Sequence, residues 1–409
     1  MARSHACSIV ALAVLASLAA GVPACARTLS FREARQMVLE SNQDLKALDE
    51  MRSASEAAVR QAGAYINPEI EAGTENFGKA EVEVVLTQPI ITGGKRGAAV
   101  DVATRAAEIA GLEYESMLIS LESELIRRYV AVLSAHQRIA LIDSTIAVSN
   151  HSIAAVRRLV EAGAAMEVDL LRAELERDEF LLEQAGLERE LYEAELRLSE
   201  LWGDRGFEYE RVAGSVSVGP LLPAIDQLDA ALENHPDIQI MDTRSMLAEA
   251  ERREARSGRV PEMALSAGYL RNNELDENAV IAGLSFSLPV FDRNKGAIEE
   301  KEHERKAAEH KAGQMRLERA ADLAALHSTF EVRRRELDAI SGEVLDRAVL
   351  IHQSLDDFYF RGKVGILDVL EARAHLLDLH MRIVDLSEER AVLAADIQEL
   401  TGYPVEIIE

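Results

Sequence analysis

Phe360-Arg-Gly362-Lys-Val-Gly-Ile-Leu-Asp368-Val-Leu-Glu371-Ala-Arg373 has a weaker copy 199 positions earlier, Glu161-Ala-Gly163-Ala-Ala-Met-Glu-Val-Asp169-Leu-Leu-Arg172-Ala. In both, a glycine closes a long helical run, an aspartate follows six residues later, and a second helical run begins. Such a pattern joins two antiparallel helices by a tight reversal. Two reversals of this kind predict a tandem duplication of a long helical hairpin.

Upstream of the first reversal, Leu118, Leu121, Leu125, Tyr129, Val132, His136, Ile139, Ile142 and Ile146 step by three and four, as a coiled-coil seam does. The spacing predicts one helix from about Ala98 to Gly163, roughly 100 Å long at 1.5 Å per residue. A return helix runs from Ala164 to Leu201 and stops at Trp202-Gly203. Before the long helix, Glu69-Ile-Glu-Ala-Gly-Thr-Glu-Asn76 and Glu81-Val-Glu-Val-Val-Leu-Thr-Gln88 alternate apolar and acidic residues with a period of two. They are expected to be strands of bilayer-crossing length with one apolar and one polar face, turned at Phe77-Gly78-Lys79 and ended by Pro89. A helix over 28–65, opened by Ser30, precedes them, and Asn67-Pro68 ends it.

From Leu228 the plan recurs. Leu232-Glu-Asn-His-Pro-Asp-Ile238 mirrors Leu39-Glu-Ser-Asn-Gln-Asp-Leu45, and Val260-Pro261-Glu262 mirrors Asn67-Pro68-Glu69, both offset by 193. Strands are expected over Met263–Leu270 and Ala279–Leu288, joined by the polar loop 271–278. A helix over about Lys295–Arg361 then leads to the second tip, and Gly365–Leu400 returns. In each half the helix before the strands (32–65 or 228–257) plus the return helix about matches the long helix. Two short helices should therefore stack end to end beside one long one. The expected division is 1–26 leader, 27–214 first repeat and 215–409 second repeat. Four strands cannot close a barrel, so a pore would have to be oligomeric.

The composition agrees with long helices: of 409 residues 48% are hydrophobic and only 4% aromatic. A net charge of −26 argues against nucleic acid as partner, since such binders need a basic face, and is compatible with cationic cargo. Arg3, an apolar run from Ser8 to Ala20 and Ala24-Cys25-Ala26 form a signal peptide with a small-residue cleavage site. Val22-Pro-Ala-Cys25 is alternatively a lipobox that would leave Cys25 lipidated, although Pro23 fits it poorly. Cys7 and Cys25 are the only cysteines, so the rest of the chain offers no thiolate nucleophile or cysteine metal site. No run of 18 apolar residues follows the leader, so no transmembrane helix is expected.

Together Gln61-Ala-Gly-Ala-Tyr-Ile-Asn-Pro-Glu69, Glu75-Asn-Phe-Gly78, Thr87-Gln-Pro-Ile90, Gly93-Gly-Lys-Arg96, Arg158-Leu-Val-Glu-Ala-Gly163, Asp169-Leu-Leu-Arg-Ala-Glu174, Leu288-Pro-Val-Phe-Asp-Arg-Asn-Lys-Gly296 and Asp368-Val-Leu-Glu-Ala-Arg373 resemble a TolC-type outer-membrane efflux factor of the CzcC-like heavy-metal branch. These stretches cover nearly all of the chain beyond the leader in family order. The resemblance implies a mainly α fold with a membrane β section, in which three protomers form a 12-stranded β-barrel above a periplasmic α-barrel tunnel. It implies a passive exit duct of a tripartite RND-type efflux system, docked to a periplasmic membrane-fusion adaptor and an inner-membrane RND pump, in contact with outer-membrane lipid. Organic solutes, drugs or a type I secreted polypeptide are alternative cargo. A periplasmic coiled-coil scaffold or adaptor is an alternative of another class, but it leaves the four alternating strands unexplained.

Asp368 and Glu371, three apart, share a helix face just inside the second tip. The resemblance places acids at these positions in the pore entrance, where three-fold symmetry would make rings of like charge. Carboxylates in a first helical turn also simply complement the dipole, and this reading fits Asp169 better. Arg158, Leu159, Gly163, Arg361, Gly362 and Lys363 are expected at exposed tips, suited to adaptor docking and to reversing the chain. Glu69, Glu71, Glu75, Glu81 and Glu83 should face the barrel lumen. His303 with His310, and His375 with His380, lack the spacing of a zinc helix. No catalytic residue, resident metal or cofactor is expected, and the chain is not expected to be an enzyme.

Overall fold

The computed structural model describes residues 28–75, 80–204, 209, 211–216 and 222–405. The leader and the turn at 77–79 lie outside the described residues. The chain opens with a two-residue strand β1 (Thr28–Leu29), paired in parallel with β4 (Arg211–Val212). Between them run α1 (Phe31–Ser41), α2 (Gln43–Ala62), β2 (Glu69–Glu75), β3 (Glu81–Ile90), α3 (Lys95–Glu161) and α4 (Glu167–Glu200). The same plan follows as α5 (Ile225–Leu232), α6 (Pro236–Ser257), β5 (Met263–Asn272), β6 (Glu277–Phe286), α7 (Lys295–Ala339), α8 (Leu345–Phe360) and α9 (Ile366–Thr401).

Ser30 opens α1 with a capping box, exchanging hydrogen bonds with Glu33. The expected helix over 28–65 is nevertheless broken at Asn42, whose backbone is extended at ψ 126°. The Asn42 side chain accepts the Leu45 N–H at 2.9 Å and donates to the Leu201 carbonyl at 3.0 Å. The second repeat breaks at the matching position. His235 precedes Pro236, and its Nδ1 accepts the Asp237 N–H at 3.1 Å. The mirrored heptapeptides are thus helix breaks, each sealed by a side chain that caps the next helix.

The four longer strands form one antiparallel sheet in the order β2-β3-β5-β6. The register stacks Ile70, Leu86, Ala267 and Ala282 in one row, and Ala72, Val84, Tyr269 and Val280 in the next. These share a face with Leu265, Leu284 and Phe286, and the large members of the set are exposed, Val280 at 84%. Pro89 does not end its strand: β3 continues to Ile90, pairing Pro89 with Ala264. β2 has no partner for β3 beyond Thr87, so a missing N–H is tolerated there. β5 and β6 reach further into the expected loop than their apolar runs suggested, with Arg271 hydrogen-bonding Asn278 across the pair, and β6 stops at Phe286, short of the expected Leu288.

The helices form a wall in which α2 and α4 flank α3 in succession, α6 and α9 flank α7 and α8, and α3 joins the repeats by packing on α6 and α9. This is the expected end-to-end stacking. Among the described residues α3 is the one helix long and apolar enough to cross a membrane, with an 18-residue mean hydropathy of 1.3. It runs between wall neighbours along its length, and Leu121, Leu125, Tyr129, Val132 and Ile142 of its predicted seam are buried. The expected helix over 295–361 is interrupted by a wide turn at Ile340–Val344, where Gly342 leaves helical geometry at ψ −119°. At mid-height, the Tyr129 hydroxyl lies 2.8 Å from the Leu29 carbonyl and 2.7 Å from that of Ala213, tying the β1–β4 pair to α3.

Candidate functional site

Both helical tips reverse as predicted. Gly163 and Gly362 adopt φ of 71° and 68°, a region that only glycine enters without strain. The Ala164 N–H donates to the Leu159 carbonyl at 2.8 Å, and the Lys363 N–H to the Phe358 carbonyl at 2.9 Å, which closes each helix end. The two tips are not independent. Val156, Leu159, Val160 and Leu170 of the first pack against Tyr359, Val364, Ile366, Val369 and Leu370 of the second in one apolar cluster.

Arg158, Gly163, Arg361, Gly362 and Lys363 are exposed, as expected. Leu159 is not: its side chain is half-buried in the shared cluster, because a tip this short must bury what apolar surface it has. Arg158 turns back onto the Ala154 carbonyl at 3.2 Å, Arg361 pairs with Asp357 at 2.7 Å, and the Lys363 ammonium lies 5.4 Å from the Phe358 ring centre.

Asp368 and Glu371 both lie on the exposed face of α9. Asp368 also accepts the Gly365 N–H at 3.1 Å, and Asp169 accepts the Met166 N–H at 3.3 Å. Each aspartate thus holds the start of its helix, so the capping role is common to both tips. Glu371 has no such local bond, and Arg172 occupies the corresponding exposed position on α4. Glu69, Glu71, Glu75, Glu81 and Glu83 fall on one face of the sheet, opposite the apolar rows, with Glu75 directly across from Glu81. On β5 and β6 the same face carries Ser266, Gly268, Gly283 and Ser285.

Two features near the tips were not anticipated from sequence. Arg373 of α9 is buried and reaches across to α4, pairing with Glu176 at 3.0 Å and donating to Ser152 of α3 at 2.8 Å. Burial pushes the Glu176 carboxyl above its usual range, and Arg373 offsets only part of that. Nearby, burial holds the His352 imidazole below its usual pKa, and the positive charge of Arg373 acts in the same direction. The available signal was Arg373 itself, an arginine on the stripe of buried α9 positions that includes Ile366, Val369 and Leu377. The second feature is Tyr359, whose buried hydroxyl has no hydrogen-bond partner among the described residues. Burial and the nearby charge of Asp169 raise its pKa.

The comparisons with known proteins agree with this architecture. The chain is 26% identical over 381 residues to the cobalt-zinc-cadmium resistance protein CzcC of Cupriavidus metallidurans, covering 91% of this chain and 90% of that one. It is 27% identical to the nickel-cobalt-cadmium resistance protein NccC of Alcaligenes xylosoxydans over 65% of this chain and 62% of that one. The fold matches the solved structure of CusC with a TM-score of 0.79 at 17% identity, covering 91% of this chain and 92% of that one. It also matches the outer membrane protein VceC of Vibrio cholerae with a TM-score of 0.75 at 16% identity, covering 91% and 96%. The sequence profile described as outer membrane efflux protein matches residues 34–204 and 227–403, and the chain belongs to that family.

Proposed function

We propose that this outer-membrane chain is the passive exit duct of a tripartite efflux system that carries heavy-metal cations, energised by an inner-membrane RND pump through a periplasmic adaptor. The observation that carries the duct reading is the sheet. Its apolar face is exposed, its acidic face is opposite, and both edges, β2 and β6, are unpaired among the described residues. Three copies would close twelve strands with the glutamates inside and the apolar rows against lipid. The tandem reading, 27–214 and 215–409, is supported by the element order.

The metal reading rests on the resistance proteins to which the chain is similar and on an acidic lining that favours cations without forming a binding cage. Asp368 and Glu371 would ring the periplasmic mouth and raise the local cation concentration. Arg158, Gly163, Arg361, Gly362 and Lys363, with Leu159 as their packing support, would receive the adaptor.

The test is a deletion strain complemented with the full gene or with Asp368→Asn/Glu371→Gln. The deletion should lower tolerance to cobalt, zinc or cadmium and the full gene should restore it. Unchanged metal tolerance would overturn the cargo. In planar bilayers the double variant should lose cation selectivity and divalent block, and unchanged selectivity would remove the two acids from the mouth.

A further inference from the structure

At the helix-side end of the sheet, the first repeat turns tightly from β3 into α3. A side chain at Gly93 would collide with Val260 at 2.5 Å, and Thr92 hydrogen-bonds the Pro261 carbonyl. The second repeat instead sends out a longer turn at the matching place. Leu288, Val290 and Phe291 are all exposed, Phe291 at 101%. This finger is held in place. The Asn294 amide donates to the Ala255 carbonyl at 3.2 Å, its N–H to Asp292 at 2.9 Å, and the Arg259 Nε to the Arg293 carbonyl at 3.2 Å. Its conformation therefore belongs to the fold, and in the protomer its apolar tip faces water, a poor partner.

The finger continues the apolar face of the sheet, since Ile90, Met263 and Phe286 form the last row on that face. At the same end of the sheet, Tyr65 and Ile66, both exposed, line a cavity of about 680 Å³ with Ile90 and Arg96. Cations gather at the same level in a strongly acidic chain. Arg259, Arg293 and Lys295 are exposed and none pairs with a carboxylate among the described residues. Arg96 lies over the Tyr65 ring at 4.2 Å. Lys295 and Arg96 open α7 and α3, where the helix dipole disfavours a cation, so local helix stability does not account for them. An apolar tip with an aromatic flank and unpaired cations just behind it matches the boundary between acyl chains and phosphate headgroups.

We propose that this collar docks onto the periplasm-facing leaflet of the outer membrane. Leu288, Val290 and Phe291 enter the acyl boundary, and Arg259, Arg293 and Lys295 hold the phosphates of anionic glycerophospholipids. The inference rests on the outer-membrane location and the apolar sheet face, and is independent of the cargo. It gives each protomer a depth stop and an anchor supplied by folded chain, whatever the fate of Cys25.

The full chain, freed of its leader and placed in phosphatidylglycerol nanodiscs, carries no cysteine of its own beyond residue 26. A nitroxide on Phe291→Cys should be relaxed by oxygen more than by an aqueous nickel chelate, and one on Lys363→Cys should show the reverse. A Phe291→Cys label as open to nickel as Lys363→Cys, or shielded from both reagents by protein, would overturn the proposal. With native Phe291, melting should be several degrees higher in phosphatidylglycerol than in phosphatidylcholine nanodiscs. The variant Arg259→Gln/Arg293→Gln/Lys295→Gln should lose that difference, with its lipid preference weakened roughly fivefold per charge removed. An undiminished preference in the variant, or the same stabilisation from inorganic phosphate, would rule out headgroup binding.

Discussion

Arg373 and Glu176 are the residues on which the rigidity of the paired hairpins turns, because they join α9 to α4 through charges shielded from water, with side chains only 5% and 10% exposed. Removing one partner of such a pair leaves the other buried and uncompensated, at a cost of about 3–5 kcal/mol. Arg373→Met should therefore destabilise the hairpins strongly. Glu176→Leu/Arg373→Met should recover most of the loss, as read from denaturant midpoints of the two variants. If the single variant is as stable as the parent, the pair is not an internal tie. Glu195 poses a different problem. It is buried on α4 without a cation partner among the described residues, and desolvation pushes it up to about 7 from 4.5. A carboxyl raised in the folded state costs nothing below its unfolded pKa. The folded state loses stability as pH rises from about 4.5 to 7, and the full penalty persists above that. Glu195→Gln should thus raise stability by about 1–2 kcal/mol at pH 8, discounted for the solvent that reaches the group. At pH 4 the two proteins should melt together, and a gain of equal size at both pH values would exclude titration as the cause.

At the scale of elements, period and punctuation were legible. The three-four spacing gave α3, the alternation gave the strand faces, and the tip glycines gave both reversals. The breaks at Asn42 and His235 were not, since each depends on a side chain folding back to cap the following helix. The same heptapeptides that exposed the repeat concealed the break. The wide turn at Ile340–Val344 is likewise invisible in the apolar period, because Leu337 and Ala348 on either side of it, eleven residues apart, are both buried. Of the site, the residue types at the tips and on the strands were readable. The half-burial of Leu159 and the inward turn of Arg373 were not, because each depends on the other hairpin being alongside.

The whole molecule is an open piece of wall. α4 at one edge exposes Val168, Leu171, Leu175 and Leu182, which follow a heptad seam with nothing packed on it. At the other edge Val344, at the end of the wide turn, and Ile351 and Phe358 of α8 are exposed, each seven residues from the last. The two edges fit a head-to-tail contact that closes into a ring, in step with the pairing of β6 to the next β2. Leu175→Glu/Leu182→Glu should leave the helix signal intact while converting the trimer to monomer in light scattering. A trimer that survives would place the interface elsewhere.

The sequence by itself determined the two reversals, the alternation of the strands and the family, because each is written in local period and in residues that act on their own neighbourhood. Only the tertiary structure decided where the helices break, that the two tips share one apolar cluster, and that Glu176 and Arg373 meet 197 residues apart. It also left Phe291 fully exposed at the helix-side end of the sheet. These features depend on which surfaces the repeats bring side by side, and a one-dimensional pattern does not encode that juxtaposition. The tip at Gly362 was plain from its glycine, whereas its support by the first hairpin, through Val156 and Leu159, required both hairpins in place.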